Sequence, residues 1–181
     1  MIQTIRLDHV LRETVRSPYA DLVTRPTGAA VRTRIRQALA ETSCRGACLD
    51  FSAVGLVDFS CADEVVAKLL LDLPPEDAPY LLLAGLSESH REAIDHVLEW
   101  HSLAVAAFPA AGGPPAVLGR VDPDARAAFE RIADAGQGTS DEVAAGLGWP
   151  TERAAAALRT LALLRLVQAA GATYCLLPLP A

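Results

Sequence analysis

The residues best placed to do chemistry in this 181-residue sequence lie around Ser60. A buried apolar run ends at Phe51, and after Val57 the apolar residues recur at helical spacing, so a strand, a tight turn and a helix are expected. Ser60, Asp63 and Glu64 stand at the start of that helix. A hydroxyl and carboxylates at such a junction can cap the helix, or they can form a switch that responds to added charge.

Asp63 and Glu64 are not expected to act as an acid–base pair. Neighbouring residues on an α-helix point about 100° apart, so the two carboxylates should not share one substrate proton. Complementing the positive end of the helix dipole is the simpler role for both. Ser60 is expected to cap the helix by accepting a backbone N–H, which stabilises a helix by about 1 kcal/mol.

The cysteines and histidines do not predict a metal site. The cysteines lack a second Cys or His pair at metal-ligand spacing, and His90 and His101 do not share a helical turn. The residues considered are Cys44, Cys48, Cys61 and Cys175, with His90, His96 and His101. The sequence also lacks a glycine-rich phosphate loop and a G-x-S-x-G motif. We therefore predict no metal, no cofactor and no enzymatic activity.

The charge argues against a protein whose main task is to wrap polyanions. The formal net charge is −6, and 51% of the residues are hydrophobic, which is ample for a folded core. Residues 1–116 carry a net charge of −5 and residues 117–181 a net charge of −1. Neither half is basic.

No targeting or membrane segment is expected. The first residues carry charges throughout, unlike a secretory leader. Residues 102–119 lack charge, but prolines and glycines interrupt them, so they are not expected to span a bilayer as a helix. We predict a cytoplasmic protein with no membrane partner.

Residues 1–108 are predicted to form an α/β domain with a mixed sheet covered by helices, because near-continuous apolar runs of strand length alternate with helical patterns. The predicted elements are an opening strand or two in residues 2–15, a helix in 28–41 with a basic outer face (Arg32, Arg34, Arg36), strands at 47–51, 80–86 and 103–108, and a helix capped by Ser87 or Ser89. Arg25 and Thr27 precede the basic helix. That basic face is either simply solvated or an edge that binds an anion or a partner.

Residues 109–116 are rich in glycine and proline and are predicted to be a linker. Residues 117–181 follow with clear signals for a second, small domain. Asp122-Pro123 should open a helix to about Ala135, and Thr139–Glu142 is a capping box for a helix through Ala145. A third helix is expected from Pro150 to Leu164, followed by a terminal hairpin.

The run LDFSAVGLVDFSCADEVV, residues 49–66, resembles the strand-to-helix signature of STAS domains, and especially the STAS-like group in which the helix opens with a Phe/Ser-x-Ala-Asp-Glu pattern. STAS domains occur in antagonists of anti-sigma factors, where a partner kinase that is also the anti-sigma factor phosphorylates a serine. The resemblance implies that Asp58 corresponds to the aspartate of the antagonist signature and that Ser60 is the candidate for phosphorylation. Phe59, Cys61 and Ala62 depart from the antagonist pattern.

The same resemblance implies a partner-binding surface at the start of this helix. Arg25 and Thr27, at the start of the basic helix, could contribute to an edge that binds an anion or a partner. The partner-binding candidates are Asp58, Phe59, Ser60, Asp63, Glu64, Arg25 and Thr27. The implied partner is an anti-sigma factor or a GHKL-type, histidine-kinase-like ATPase.

Residues 139–167, TSDEVAAGLGWPTERAAAALRTLALLRLV, are similar to the winged helix-turn-helix consensus, with departures at Trp149 and Arg165. The resemblance implies DNA contacts from the third helix. The DNA-binding candidates are Thr151, Arg153, Arg159 and Thr160. Three alanines, Glu152 and an uncharged stretch from 166 to 181 weaken that interpretation. A protein-interaction or homodimerisation module is an equal alternative.

Taken together, these patterns predict a non-enzymatic cytoplasmic signalling and transcription regulator that binds an anti-sigma factor or kinase-like ATPase, with phosphorylation as a switch. The alternative is a DNA-binding winged-helix regulator with a STAS-like sensing domain.

Overall fold

The computed structural model describes residues 2–16, 19–41, 43–73, 79–110 and 113–177. Two residues of the predicted linker, 111 and 112, and the last four residues of the predicted second domain lie outside this set. In the described part of the chain, no helix is both long enough and apolar enough to cross a bilayer.

The first half of the chain is an α/β structure built on a mixed five-stranded sheet, as predicted. Its strands are β1 (Ile2–Arg6), β2 (Gly46–Asp50), β3 (Tyr80–Leu86), β4 (Ala104–Pro109) and β5 (Ala116–Gly119), in that spatial order. Strands β1 to β4 are parallel and β5 runs antiparallel to β4. Ile5, Leu49 and Leu83 stand side by side across the sheet and are buried in one core.

Helices α1 (Leu7–Val15), α2 (Arg25–Ala40) and α5 (Glu88–Trp100) belong to the same half. The prediction of one or two opening strands is correct only for β1, because residues 7–15 form α1. Leu7, Val10 and Leu11 fall at i, i+3 and i+4 and are all buried, which is the spacing of a helix packed on a core. Ser87, and not Ser89, is the residue that caps α5.

Between β2 and β3 lies a continuous helical segment, residues 59–72, which we call the central helix. It consists of α3 (Phe59–Ala62), a π-helical turn (Asp63–Ala67) and α4 (Lys68–Asp72). Its buried face packs against α2, where Gly28 lets the two helices approach closely. A Cβ at Gly28 would lie 2.8 Å from the Glu64 Cβ. The chain therefore holds α2 directly against the start of the central helix.

The second half contains α6 (Pro123–Ala135), β6 (Gln137–Thr139), α7 (Ser140–Leu147), α8 (Thr151–Leu163), β7 (Val167–Ala170) and β8 (Thr173–Leu176). Asp122 caps α6, and Thr139 and Glu142 form the expected capping box of α7. The hairpin β7–β8 is extended by β6 into a sheet of order β6-β8-β7. Strand β6 was not predicted, since three residues are too few to show a periodicity.

The two halves share a core at β5. Val117 of β5 and Ala106 of β4 are buried in the same cluster as Ala128 and Phe129 of α6. Arg126 of α6 reinforces this contact, because its guanidinium donates to the carbonyls of Val117 and Gly119 at 2.8 and 3.0 Å. Residues 116–119, which the sequence pattern assigns to the end of the linker and the start of the second domain, are a strand of the first sheet.

Candidate functional site

The predicted partner-binding residues lie together where α2 meets the central helix. The segment before α2 runs beside the segment before α3. The Leu22 N–H donates to the Leu56 carbonyl at 2.7 Å, and the Asp58 N–H donates to the Leu22 carbonyl at 3.0 Å. These bonds bring Arg25 within reach of Asp63 and Glu64, which are 38 and 39 residues away in sequence.

Asp58 caps the central helix. Its Oδ1 accepts the Cys61 N–H at 2.7 Å, and its Oδ2 accepts the Thr24 N–H at 2.8 Å. The expectation that Ser60 is the cap is therefore wrong. The capping position belongs to the last residue with extended backbone, and Asp58 holds it (φ −82°, ψ 163°), whereas Ser60 is already inside the helix. The Ser60 hydroxyl is therefore not the group that caps the helix.

Asp63 and Glu64 converge on the same cations. Arg25 Nη1 lies 2.7 Å from Asp63 Oδ2 and 2.8 Å from Glu64 Oε1, and Lys68 pairs with both carboxylates. The expectation that the two groups only complement the helix dipole is thus incomplete. A single nitrogen of each cation contacts both carboxylates, so the two side chains meet at one point although the residues are adjacent in sequence.

Two further groups complete this ion-pair network. Arg32 Nη2 lies 3.2 Å from Glu64 Oε2, and His101 Nε2 lies 2.7 Å from Asp63 Oδ1. Glu64 is only 3% exposed, and the side chain of Arg32 is 22% exposed. Arg32 is thus part of the network and not a freely solvated residue of a basic face.

The network sets the ionisation of both carboxylates. Burial would raise the pKa of Glu64, but the hydrogen bonds from Lys68 and Arg25 outweigh it and hold that pKa below its ordinary value of 4.5. Burial likewise opposes ionisation of Asp63, and the bonds from Arg25 and His101 lower its pKa below 3.8. Both groups are therefore ionised at neutral pH, which suits a structural role better than proton transfer. We call Arg25, Asp63, Glu64 and Lys68 together the clamp, or the Arg25 clamp.

A groove of about 370 Å³ opens above this clamp, between the start of the central helix and the end of α5. Arg25, Ser60 and Asp63 form one part of its wall, and Phe59 and Trp100 form its apolar rim. Phe59 is 55% exposed and Trp100 is 82% exposed. Two large aromatic side chains left in solvent beside a concave surface are typical of a protein-binding site.

The sequence pattern does not indicate the α5 side of this groove. His96 packs its ring on Phe59 with centroids 5.1 Å apart, and His101 binds Asp63, so both line the groove. In the sequence, these histidines stand out only as possible metal ligands. Trp100, four residues after His96 on the same helical face, was the available signal, because an aromatic residue on the polar side of an amphipathic helix has no core to enter. The Thr27 hydroxyl forms a hydrogen bond with the Thr24 hydroxyl at 3.1 Å, and Thr27 is not among the described residues that line the groove.

The DNA-binding candidates are largely engaged within the chain. Arg153 makes a bidentate pair with Asp124 at 2.7 and 2.8 Å and stacks on Trp149. The Thr151 hydroxyl donates to Asp141 at 3.0 Å, and the Thr160 hydroxyl donates to the Ala156 carbonyl at 3.2 Å. Arg159 is exposed. The outer face of α8 thus offers one uncommitted cation among these candidates.

Among the described residues, no group of three or more His, Cys, Asp or Glu side chains could hold a metal ion. His90 is buried and serves a structural purpose, since one ring nitrogen bonds the Gly55 carbonyl at 2.6 Å and the other accepts the Ser87 N–H at 3.3 Å.

Comparison with known proteins gives no family assignment: no protein-family model, no curated protein and no solved structure matches the chain.

Proposed function

We propose that this protein is a non-enzymatic signalling regulator that works by binding another protein through the groove between α3 and α5. The partner is an anti-sigma factor or a histidine-kinase-like ATPase. The observation that carries the proposal is the pair of exposed aromatic side chains, Phe59 and Trp100, on the rim of a groove whose wall is fixed by the Arg25 clamp. Rigid aromatic anchors beside a preformed concavity supply binding energy with little entropy lost.

Phosphorylation of Ser60 would regulate this binding. Ser60 lines the groove with Arg25, and no hydrogen bond from its hydroxyl occurs within the described part of the chain. A phosphate adds about −1.5 to −2 charges. In the groove it would pair with Arg25, weaken the clamp on Asp63 and Glu64, and repel an incoming acidic group. Phosphorylation would therefore release the partner.

We also propose a specific fold for each half of the chain. The strand, turn and capped helix at residues 49–66 support a STAS-like domain over residues 1–108. The order α6, β6, α7, α8, β7, β8, with β6 beside β8, supports a winged-helix domain within residues 117–181. This second domain would deliver the output or mediate dimerisation.

The DNA-binding alternative has less support. Arg153 is neutralised by Asp124 and Thr151 is bonded to Asp141, so α8 would have to give up contacts in its own chain to reach phosphates or bases. A salt-titrated shift assay on random genomic fragments tests it. Tight binding that weakens steeply with salt would restore the alternative.

Affinity capture with the full chain as bait tests the proposed function. We expect the wild-type bait to retain a kinase-like ATPase and the Phe59→Ala/Trp100→Ala double variant to lose it at least tenfold. Leu163→Ala is the matched control, because Leu163 is 84% exposed and lies in a different surface groove. Equal retention of every captured protein by the double variant and the control would refute the proposal.

A further inference from the structure

The groove contains hydrogen-bond donors that the chain itself does not use, while its acidic acceptor is already engaged. Asp63, the carboxylate on the wall, receives Arg25, His101 and Lys68. Its side chain is only 15% exposed. A further cation arriving from a partner would meet a carboxylate that three donors have already neutralised.

Arg25 is the main unused donor. Both of its ion pairs are made by Nη1. Within the described residues, its Nε and Nη2 form no hydrogen bond or ion pair, and the side chain is 54% exposed on the groove. Nε and Nη2 form one edge of the planar guanidinium, with two parallel N–H groups that fit the two oxygens of a carboxylate.

The clamp orients that edge. Because Nη1 is held by Asp63 at 2.7 Å and by Glu64 at 2.8 Å, the guanidinium plane is fixed before any partner arrives. A preoriented fork loses less rotamer entropy on binding than a free arginine does. Arg25 is therefore a preoriented hydrogen-bond donor for a carboxylate and not a freely solvated surface charge.

Arg25 also provides the accessible charge on the groove wall. Arg25 and Asp63 both line the groove, but the Arg25 side chain is 54% exposed, whereas Asp63 is 15% exposed and already paired with three donors. A partner therefore meets an accessible cation at this point of the wall, and an accessible cation selects an acidic group on the partner.

We propose that the groove takes an acidic segment of the partner in which an Asp or Glu stands close to an aromatic or leucine side chain. The carboxylate binds the Nε–Nη2 edge of Arg25, and the apolar side chain packs between Phe59 and Trp100. This inference rests on the proposed function of the groove and adds the chemistry of the partner. The aromatic rim provides affinity, and Arg25 provides selectivity for acid over amide.

A library of random twelve-residue peptides displayed on phage, selected on the immobilised full chain, tests the inference. Peptides whose binding is lost in Trp100→Ala should carry Asp or Glu within three residues of Trp, Phe, Tyr or Leu. A synthetic copy in which that acid is replaced by its amide should bind the wild type about tenfold more weakly.

Variants of the chain complete the test. Arg25→Gln should bind the acid and amide peptides equally. Arg91→Gln, on the exposed face of α5, should keep the tenfold preference. Circular dichroism and a single cooperative unfolding transition would confirm that Arg25→Gln is folded, with a lower midpoint because Asp63 and Glu64 lose one of their cations. Arg25→Lys, which keeps the charge without the fork, should retain only part of the preference.

Two results would overturn the inference, and they differ in what else they affect. If the selected peptides depend on Trp100 but are basic, or bind equally well as amides, the carboxylate assignment is wrong and the groove remains a protein-binding site. If no selected peptide depends on Phe59 or Trp100, both the inference and the proposed function fail.

Discussion

Ser60 lies in the groove at a position where an added charge would meet the cation of Arg25. Its neighbour in the groove is Arg25, and Asp58 does the capping that the sequence pattern assigns to Ser60. A change at Ser60 can therefore alter binding without unfolding the helix.

We predict that Ser60→Asp weakens binding of the captured partner about tenfold, whereas Ser60→Ala leaves it within twofold of the wild type. An aspartate would pair with Arg25 and repel an acidic segment of the partner. Titration of the partner by calorimetry measures both constants. The switch hypothesis is wrong if Ser60→Asp binds as well as Ser60→Ala.

Glu64 is the buried centre of the ion-pair network, and its replacement tests the stability of the clamp. Glu64→Gln leaves Arg25, Arg32 and Lys68 without their shared anion, and we expect a loss of about 2 kcal/mol in the free energy of unfolding at pH 7, because these cations are only partly buried. Urea denaturation measures it. Glu152→Gln, at an exposed position on α8, is the control and should change little.

The difference in unfolding free energy between wild type and Glu64→Gln should depend on pH, because the pKa of Glu64 changes on folding. The pKa of Glu64 is lowered on folding, so its contribution to stability is complete above its ordinary pKa of 4.5 and disappears as the pH falls through the lower, folded-state pKa. The difference in unfolding free energy between wild type and Glu64→Gln should therefore shrink as the pH falls from about 5 to about 2.5, which is roughly the range in which carboxylates titrate. A difference that stays constant over this range would contradict the ionised clamp.

The central helix shows how one element positions the site. Its start is fixed by Asp58, which accepts N–H groups from Cys61 and Thr24 and so joins two segments of the chain. Its π-helical turn carries both clamp carboxylates. π-helical turns occur frequently at functional sites, since they shift side chains off the ordinary helical register.

We predict that Asp58→Ala lowers the free energy of unfolding by about 1–2 kcal/mol, because two N–H groups lose their acceptor. Ser60→Ala is the matched control and should cost less than about 0.5 kcal/mol, since no helix N–H bonds to its hydroxyl. Thermal and urea unfolding of the two variants check this. The assignment of the cap would be wrong if Ser60→Ala were the more damaging change.

At the scale of elements, periodicity and capping signals account for most of what could be predicted. The strand at residues 46–50, the helix at 88–100 and the capping box at Thr139 have local signatures, and each forms where the pattern indicates. The sequence pattern does not reveal helix α1, because its apolar residues follow those of β1 with no turn residue between the two elements. The Arg25 clamp could not be foreseen, since it joins residues almost forty positions apart and depends on how α2 packs against the central helix.

The whole molecule is joined more closely than a Gly/Pro linker suggests. Val117 and Ala106 of the first sheet share a buried cluster with α6, and Leu177 packs against Cys48 and Leu82 on the sheet. Two halves that share buried apolar surface lose part of their core when either one unfolds.

We therefore predict that both halves unfold in a single transition. Trp149 makes this measurable, because it is partly buried against the core of the second half. In the Trp100→Phe variant, Trp149 fluorescence reports the second half, and far-UV circular dichroism follows the helices and strands of both halves. The two probes should give coincident urea transitions. A second step in circular dichroism that Trp149 fluorescence does not follow would show independent units.

Binding of a partner protein over the groove between α3 and α5 should be visible in the fluorescence of Trp100. The Trp149→Phe variant leaves Trp100, which is 82% exposed, as its only tryptophan. On titration with the captured ATPase, or with its Trp-free variant if it has tryptophans of its own, the emission should shift to shorter wavelength as the indole leaves water. Ser60→Asp in the same background should move the midpoint of that shift to about tenfold higher partner concentration. Tight binding with no change in Trp100 emission would contradict the account.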